Sequence, residues 1–97
     1  MLYIEPRHLA IIQSILFKYP YKFYAFGSRA RGNPKPLSDL DLCFLDLIPS
    51  STLSLIEAEF EESDLPYKVD LVDWNKCSEE FRARIKKDLV PIELTTQ

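Results

Sequence analysis

Three aspartates and one glycine turn are the residues of this chain whose types and spacing could do chemistry. The turn is Gly27-Ser28-Arg29-Ala30-Arg31-Gly32; a loop through Asn33, Pro34, Lys35, Pro36 and Leu37 leads to Ser38-Asp39-Leu40-Asp41-Leu42; the third acid lies in Val69-Asp70-Leu71-Val72-Asp73. A glycine turn running into a helix suits phosphate, and paired carboxylates suit a divalent cation. Those are the two requirements of metal-dependent phosphoryl or nucleotidyl transfer.

The turn supplies donors. A strand that ends at Gly27 and passes straight into a helix at Ser28 aims unpaired N–H groups at one point, where the helix dipole also favours negative charge. Gly27 leaves no Cβ in the way, and the Ser28 hydroxyl adds a donor. An ordinary strand-to-helix turn uses the same two residues, so this pair alone decides nothing.

The acids say more. Asp39 and Asp41 are two apart, so on a strand both carboxylates project from one face. At a separation of about 4 Å they would repel by roughly 4 kcal/mol at an effective dielectric near 20. Bound Mg²⁺ would turn that repulsion into coordination and leave room for phosphate oxygens. The alternative is that both face solvent on an edge strand. Asp70 is flanked by apolar residues, where an unpaired buried carboxylate is costly. Next to the first pair it could help hold a second ion or accept the proton of an attacking hydroxyl. Asp73, on the opposite face and nearer the strand end, reads as a helix cap or a solvent-facing residue.

The elements that must position these groups follow from periodicity and punctuation. Pro6 suits a first helical position, and Leu9, Ile12, Ile15 and Leu16 recur at helical spacing until Pro20. Tyr21 to Phe26 reads as a strand stopped by Gly27. Ser28 opens a short helix that Gly32 can end in a left-handed conformation. Asp39 to Leu45 is a strand with Asp39, Asp41 and Cys43 on one face and Leu40, Leu42 and Phe44 on the other. Leu53, Ile56 and Phe60 mark a helix on acidic ground, Tyr67 to Val72 a third strand, and Ser78 the start of a helix carrying Phe81, Ile85 and Leu89. Pro91 to Leu94 reads as a short edge strand. This order gives a mixed α/β or α+β domain, a small sheet with helices packed on it.

At 97 residues and 46% apolar content, the chain is expected to fold as one globular domain spanning residues 1–97. A net charge of −3 argues against a dedicated nucleic-acid binder. No apolar stretch has the length to span a bilayer, and the N-terminus lacks the regions of a signal peptide. Cys43 and Cys77 have no metal-ligand spacing, so reduced thiols and a cytoplasmic location are expected.

Taken together, Gly27-Ser28-x-Ala30-Arg31-Gly32, Ser38-Asp39-x-Asp41-Leu42 and Val69-Asp70-Leu71-Val72 resemble the three motif blocks of the polymerase-beta-like nucleotidyltransferase superfamily. The sparse remainder resembles its minimal, MNT-type branch, whose members are usually encoded beside a HEPN-domain partner. The resemblance spans Tyr21 to Leu89. It implies a mixed sheet on helices, with Gly27, Ser28 and Arg31 at the nucleotide. It also implies Asp39, Asp41 and Asp70 as catalytic acids and ligands of Mg²⁺, two ions being expected. Some members of the branch are antitoxins that move AMP from ATP to a tyrosine hydroxyl of a HEPN ribonuclease toxin. The expectation for this chain is the same transfer within a hetero-oligomer, without direct contact to nucleic acid or membrane.

Two other readings stay open. One is a non-catalytic antitoxin or assembly subunit that acts by occlusion. The other is transfer to a small molecule such as an aminoglycoside, whose enzymes carry a helical domain that this sequence lacks. Elsewhere the sequence points to structure. Arg29 reads as a solubilising residue of a short exposed helix, and His8 as a surface or partly packed side chain. Trp74 reads as packing rather than an adenine platform, and Arg82, Arg84, Lys86 and Lys87 as a solvated helix face.

Overall fold

The structure is a computed structural model that describes residues 2–93. Helix α1 (Pro6–Leu16) begins with Pro6 after Glu5 and buries His8, Ile12, Ile15 and Leu16. It stops short of the expected end at Pro20. A residue that precedes proline avoids the helical conformation, and here Lys18 and Tyr19 N–H groups reach back to Ile15 and Leu16 in a tightened turn. Their side chains then meet Glu59 on a later helix, Lys18 as an ion pair and Tyr19 through its hydroxyl.

Strand β1 (Tyr24–Phe26) runs into α2 (Ser28–Arg31), a single turn that Gly32 ends in the left-handed region with φ 112°. Strand β2 (Leu40–Phe44) follows, then α3 (Ser50–Glu61), β3 (Val69–Asp73), a 3₁₀ turn at Trp74–Lys76, α4 (Glu79–Lys86) and β4 (Val90–Pro91). Asp73 caps the 3₁₀ turn by accepting from Asn75 N–H, and Ser78 Oγ caps α4 by accepting from Phe81 N–H. Both caps sit where the sequence placed them. Strands β1 and β3 are each shorter than expected at their N-terminal ends, and Leu89 falls beyond α4. The expected last strand, Pro91 to Leu94, begins one residue earlier: Val90 and Pro91 pair with β1, and Leu94 lies outside the described residues. Proline is tolerated because β4 is an edge strand.

The sheet order is β3-β2-β1-β4. Strand β1 pairs antiparallel with β2 and β4, while β2 and β3 are parallel and connected across α3. This is the mixed α+β architecture read from the sequence. The two faces of the sheet are unequal. One presents Phe23, Ala25, Leu40, Leu42 and Phe44 to α1 and α3, where they join Ile12, Leu16, Ile56 and Phe60 in the main core. The other holds a small cluster of Phe26, Cys43 and Ile85, with Trp74, Phe81 and Leu89 packed against it. No helix among the described residues is long and apolar enough to cross a membrane.

Candidate active site

The site lies on the less apolar face, where β1 hands the chain to α2. Gly27 takes φ 79° and ψ −161°, a conformation that side-chain-bearing residues rarely adopt. A Cβ at Gly27 would sit 2.5 Å from Asp41 Oδ2. Glycine is therefore required twice, once by the backbone and once by the carboxylate against it. Ala30 and Arg31 N–H groups both donate to Gly27 C=O. The N–H groups of Ser28 and Arg29 precede the first helical bond, so they are the donors a phosphate would meet.

Alternation along β2 puts Leu40, Leu42 and Phe44 into the main core and turns Asp41 and Cys43 to the other face. The parallel register then sets Asp41 directly beside Asp70. That neighbourhood joins residues far apart in sequence through the α3 crossover. The carboxyl of Asp41 is pushed above its ordinary range by burial first, then by the negative charges of Asp70 and Asp39; Arg31 opposes the shift. Arg31 also lies 3.9 Å from Asp88 at the end of α4. Just ahead of β3, Lys68 Nζ stands 3.9 Å from Asp70 Oδ1.

Asp39 departs from the expected arrangement. It is exposed and lies one residue ahead of β2, on the end of the proline loop, so the pleat does not hold its side chain. Among the described residues no three His, Cys, Asp or Glu side chains converge tightly enough to enclose a cation, so the expected closed set of Asp39, Asp41 and Asp70 is instead a pair with a loose third member. The donor set still fits a hard divalent cation. Its atoms are carboxylate oxygens, the charges of Asp70 and Asp39 already oppose ionisation of Asp41, and Gly27 leaves open the space beside Asp41 that a Cβ would fill.

Two readings from sequence are corrected by packing. Arg29 is not a solubilising residue. It is 5% exposed, its guanidinium donates to the carbonyls of Ser38, Pro36, Lys35 and Tyr3, and it lies 3.8 Å over the Tyr67 ring. It thereby ties the loop that delivers Asp39 to the helix that follows Gly27. Arg82 is likewise no solvated charge, because it donates to Trp74 and Asn75 carbonyls and fixes the turn after β3. His8 is buried and packed edge-on against Tyr67, with Glu5 3.8 Å from its Nδ1. Cys43 behaves as the small apolar residue expected of it: burial pushes its thiol up to about 11.

Comparison with known proteins agrees with this geometry. The model of the family described as "Polymerase beta, Nucleotidyltransferase" matches residues 11–93. A Haemophilus influenzae protein named "Probable protein adenylyltransferase MntA" is 43% identical over 94 residues, which cover 93% of this chain and 82% of that protein. A Methanocaldococcus jannaschii protein, MJ1217, also named as a protein adenylyltransferase, is 41% identical over 78 residues, 77% of this chain and 80% of that one. The family match spans most of the chain, including the segments that hold the glycine turn and the three aspartates, and with these two relatives it shows that this chain belongs to the polymerase beta nucleotidyltransferase family.

Proposed function

We propose that this nucleotidyltransferase moves AMP from ATP to a hydroxyl, a tyrosine's, on a partner protein, and that the partner is a HEPN-domain toxin which the modification neutralises. The observation that carries the reading is the pairing of Asp41 with Asp70 against the Gly27 turn. The names of the two relatives support a protein as the acceptor. The described residues form one sheet with a main core on one face and a smaller cluster on the other.

The residues divide the work. Ser28 and Arg29 N–H groups and the Ser28 hydroxyl hold the triphosphate, with Arg31 adding positive charge at its edge. Asp39 and Asp41 would hold Mg²⁺, with Asp70 as the third acid. The ion, when bound, draws negative charge from the phosphates and sharpens the nucleophile. Asp70 would take the proton of the attacking hydroxyl. The hydroxyl oxygen bonds to the α-phosphorus, the bond to the bridging oxygen breaks, and pyrophosphate leaves in line. Positioning supplies most of the acceleration, since the chain forms no covalent bond itself.

The test is intact-mass spectrometry of the protein encoded next to this one, incubated with this chain, ATP and Mg²⁺, beside an Asp39→Asn, Asp41→Asn control. A gain of one or more AMP units with the native chain alone is expected. A stable complex without any mass gain would replace transfer with occlusion as the mode of action.

A further inference from the structure

Strand β3 is one of the two edge strands of the sheet, and Asp70 is its second residue. Leu40 N–H donates to Lys68 C=O, and the register pairs Leu40 with Val69 and Leu42 with Leu71. In a parallel ladder of that register the backbones of Lys68 and Asp70 turn inward to β2, while the N–H and C=O groups of Val69 and Leu71 turn outward. No strand covers that outer side among the described residues. Exposed ladder groups of this kind are a template for another strand.

Beside this edge lies a cleft of about 540 Å³ between β3 and α3, lined by Glu57, Phe60 and Glu61 of the helix and by Leu65 to Leu71 of the chain leading into and along β3. Glu57 and Glu61 are four apart and share one face of α3. The cleft's charged lining is three carboxylates (Glu57, Glu61 and Asp70) against one ammonium, Lys68. Phe60, Val69 and Leu71 provide the apolar floor, which belongs to the main core.

Resting on the reading of a protein acceptor, we propose that this edge and cleft seat the acceptor itself: an extended, basic segment that adds a strand to β3 and places its tyrosine opposite Asp70. The pleat makes the assignment specific. A residue of the added strand that faces Asp70 lies about 4.5–5.5 Å from it, Cα to Cα, and carries its side chain on the same face as Asp70 and Asp41. Its two neighbours in sequence point to the opposite face, over Phe60 and between Glu57 and Glu61. The site thus selects lysine or arginine immediately before and after the tyrosine. Backbone pairing supplies register, and the two glutamates supply the choice of partner.

The test uses two synthetic peptides on the full chain without ATP, acetyl-Val-Lys-Tyr-Lys-Val-amide and its counterpart with glutamate in place of both lysines. Hydrogen exchange and amide chemical shifts are read residue by residue. The lysine peptide is expected to slow exchange at Val69 and Leu71, and Glu57→Lys with Glu61→Lys is expected to weaken it about tenfold or more. The same double variant should raise the KM for the protein acceptor and leave the KM for ATP unchanged. Equal binding of both peptides, or protection confined to other elements, overturns the proposal. AMP transfer with β3 left unprotected by the acceptor would sink the cleft and leave adenylyl transfer standing. Protection of β3 without any transfer would sink the acceptor role and with it the reading it rests on.

Discussion

The two faces of the sheet are made from alternate residues of the same strands, yet they do opposite things. On the α1–α3 face, Leu40, Leu42 and Phe44 are almost wholly buried in the main core. On the other, Asp41 and Asp70 stand side by side behind a far smaller cluster. Hydrophobic burial on the first face stabilises a fold that the second face destabilises with like charges. Stability and chemistry are therefore separable at single-residue resolution, and substitution on either face should reveal which property it carries.

Phe44→Ala should show the largest loss on the core face, about 3–5 kcal/mol of stability by chemical denaturation. What remains folded should retain Mg²⁺ and nucleotide binding, and if binding fails in proportion to nothing but the substitution, the separation of faces is wrong. Asp41→Asn is the reciprocal case. It should lower transfer by about 10³-fold or more. It should also raise the melting temperature without metal, since burial and two neighbouring carboxylates oppose the charge it removes; each kcal/mol relieved appears as roughly 4–8 °C in a domain of this size. A lower melting temperature would contradict the strain argument.

Arg29→Lys tests the joint between the faces. A lysine cannot serve the carbonyls of Ser38, Pro36, Lys35 and Tyr3 together, so a loss of about 2–3 kcal/mol is expected with a weaker Mg²⁺ response, because Asp39 loses its anchored loop. Gly27→Ala should cost about 1–3 kcal/mol in stability and should displace the Asp41 carboxylate, read as loss of transfer exceeding loss of folding. The mildest effect belongs to Glu59, whose bonds from Lys18 and Tyr19 hold its carboxyl below the ordinary 4.5. Its contribution is present above that value and is lost as pH falls through the lower folded one. Glu59→Gln should therefore flatten the acid limb of the stability profile, with no change in transfer at neutral pH.

Legibility from the sequence followed the same division. Alternation in β2 disclosed which side chains face the core and which face the site, because period two is a property of the strand itself. The left-handed conformation at Gly32 was equally local. The pairing of Asp41 with Asp70 was not, since it depends on how α3 carries the chain back. Arg29 and Arg31 look alike in sequence and lie on different sides of a one-turn helix. Only the fold shows that the proline loop's carbonyls converge on the first of them. The start of β2 was missed for the opposite reason: the spacing of Asp39 from Asp41 is that of a strand, and the strand begins one residue later.

The parallel pairing of β2 with β3 has a kinetic consequence. Their acids come from opposite ends of a crossover, and no local hairpin can bring them together. Parallel closure of this kind is slow, because chain entropy is lost before the contact is gained. The Asp41–Asp70 pair therefore comes into being only as β3 docks on β2, and a growing or partly folded chain does not hold it. On the proposed reading, Mg²⁺ uptake would follow that pairing and draw the population toward the finished form by mass action.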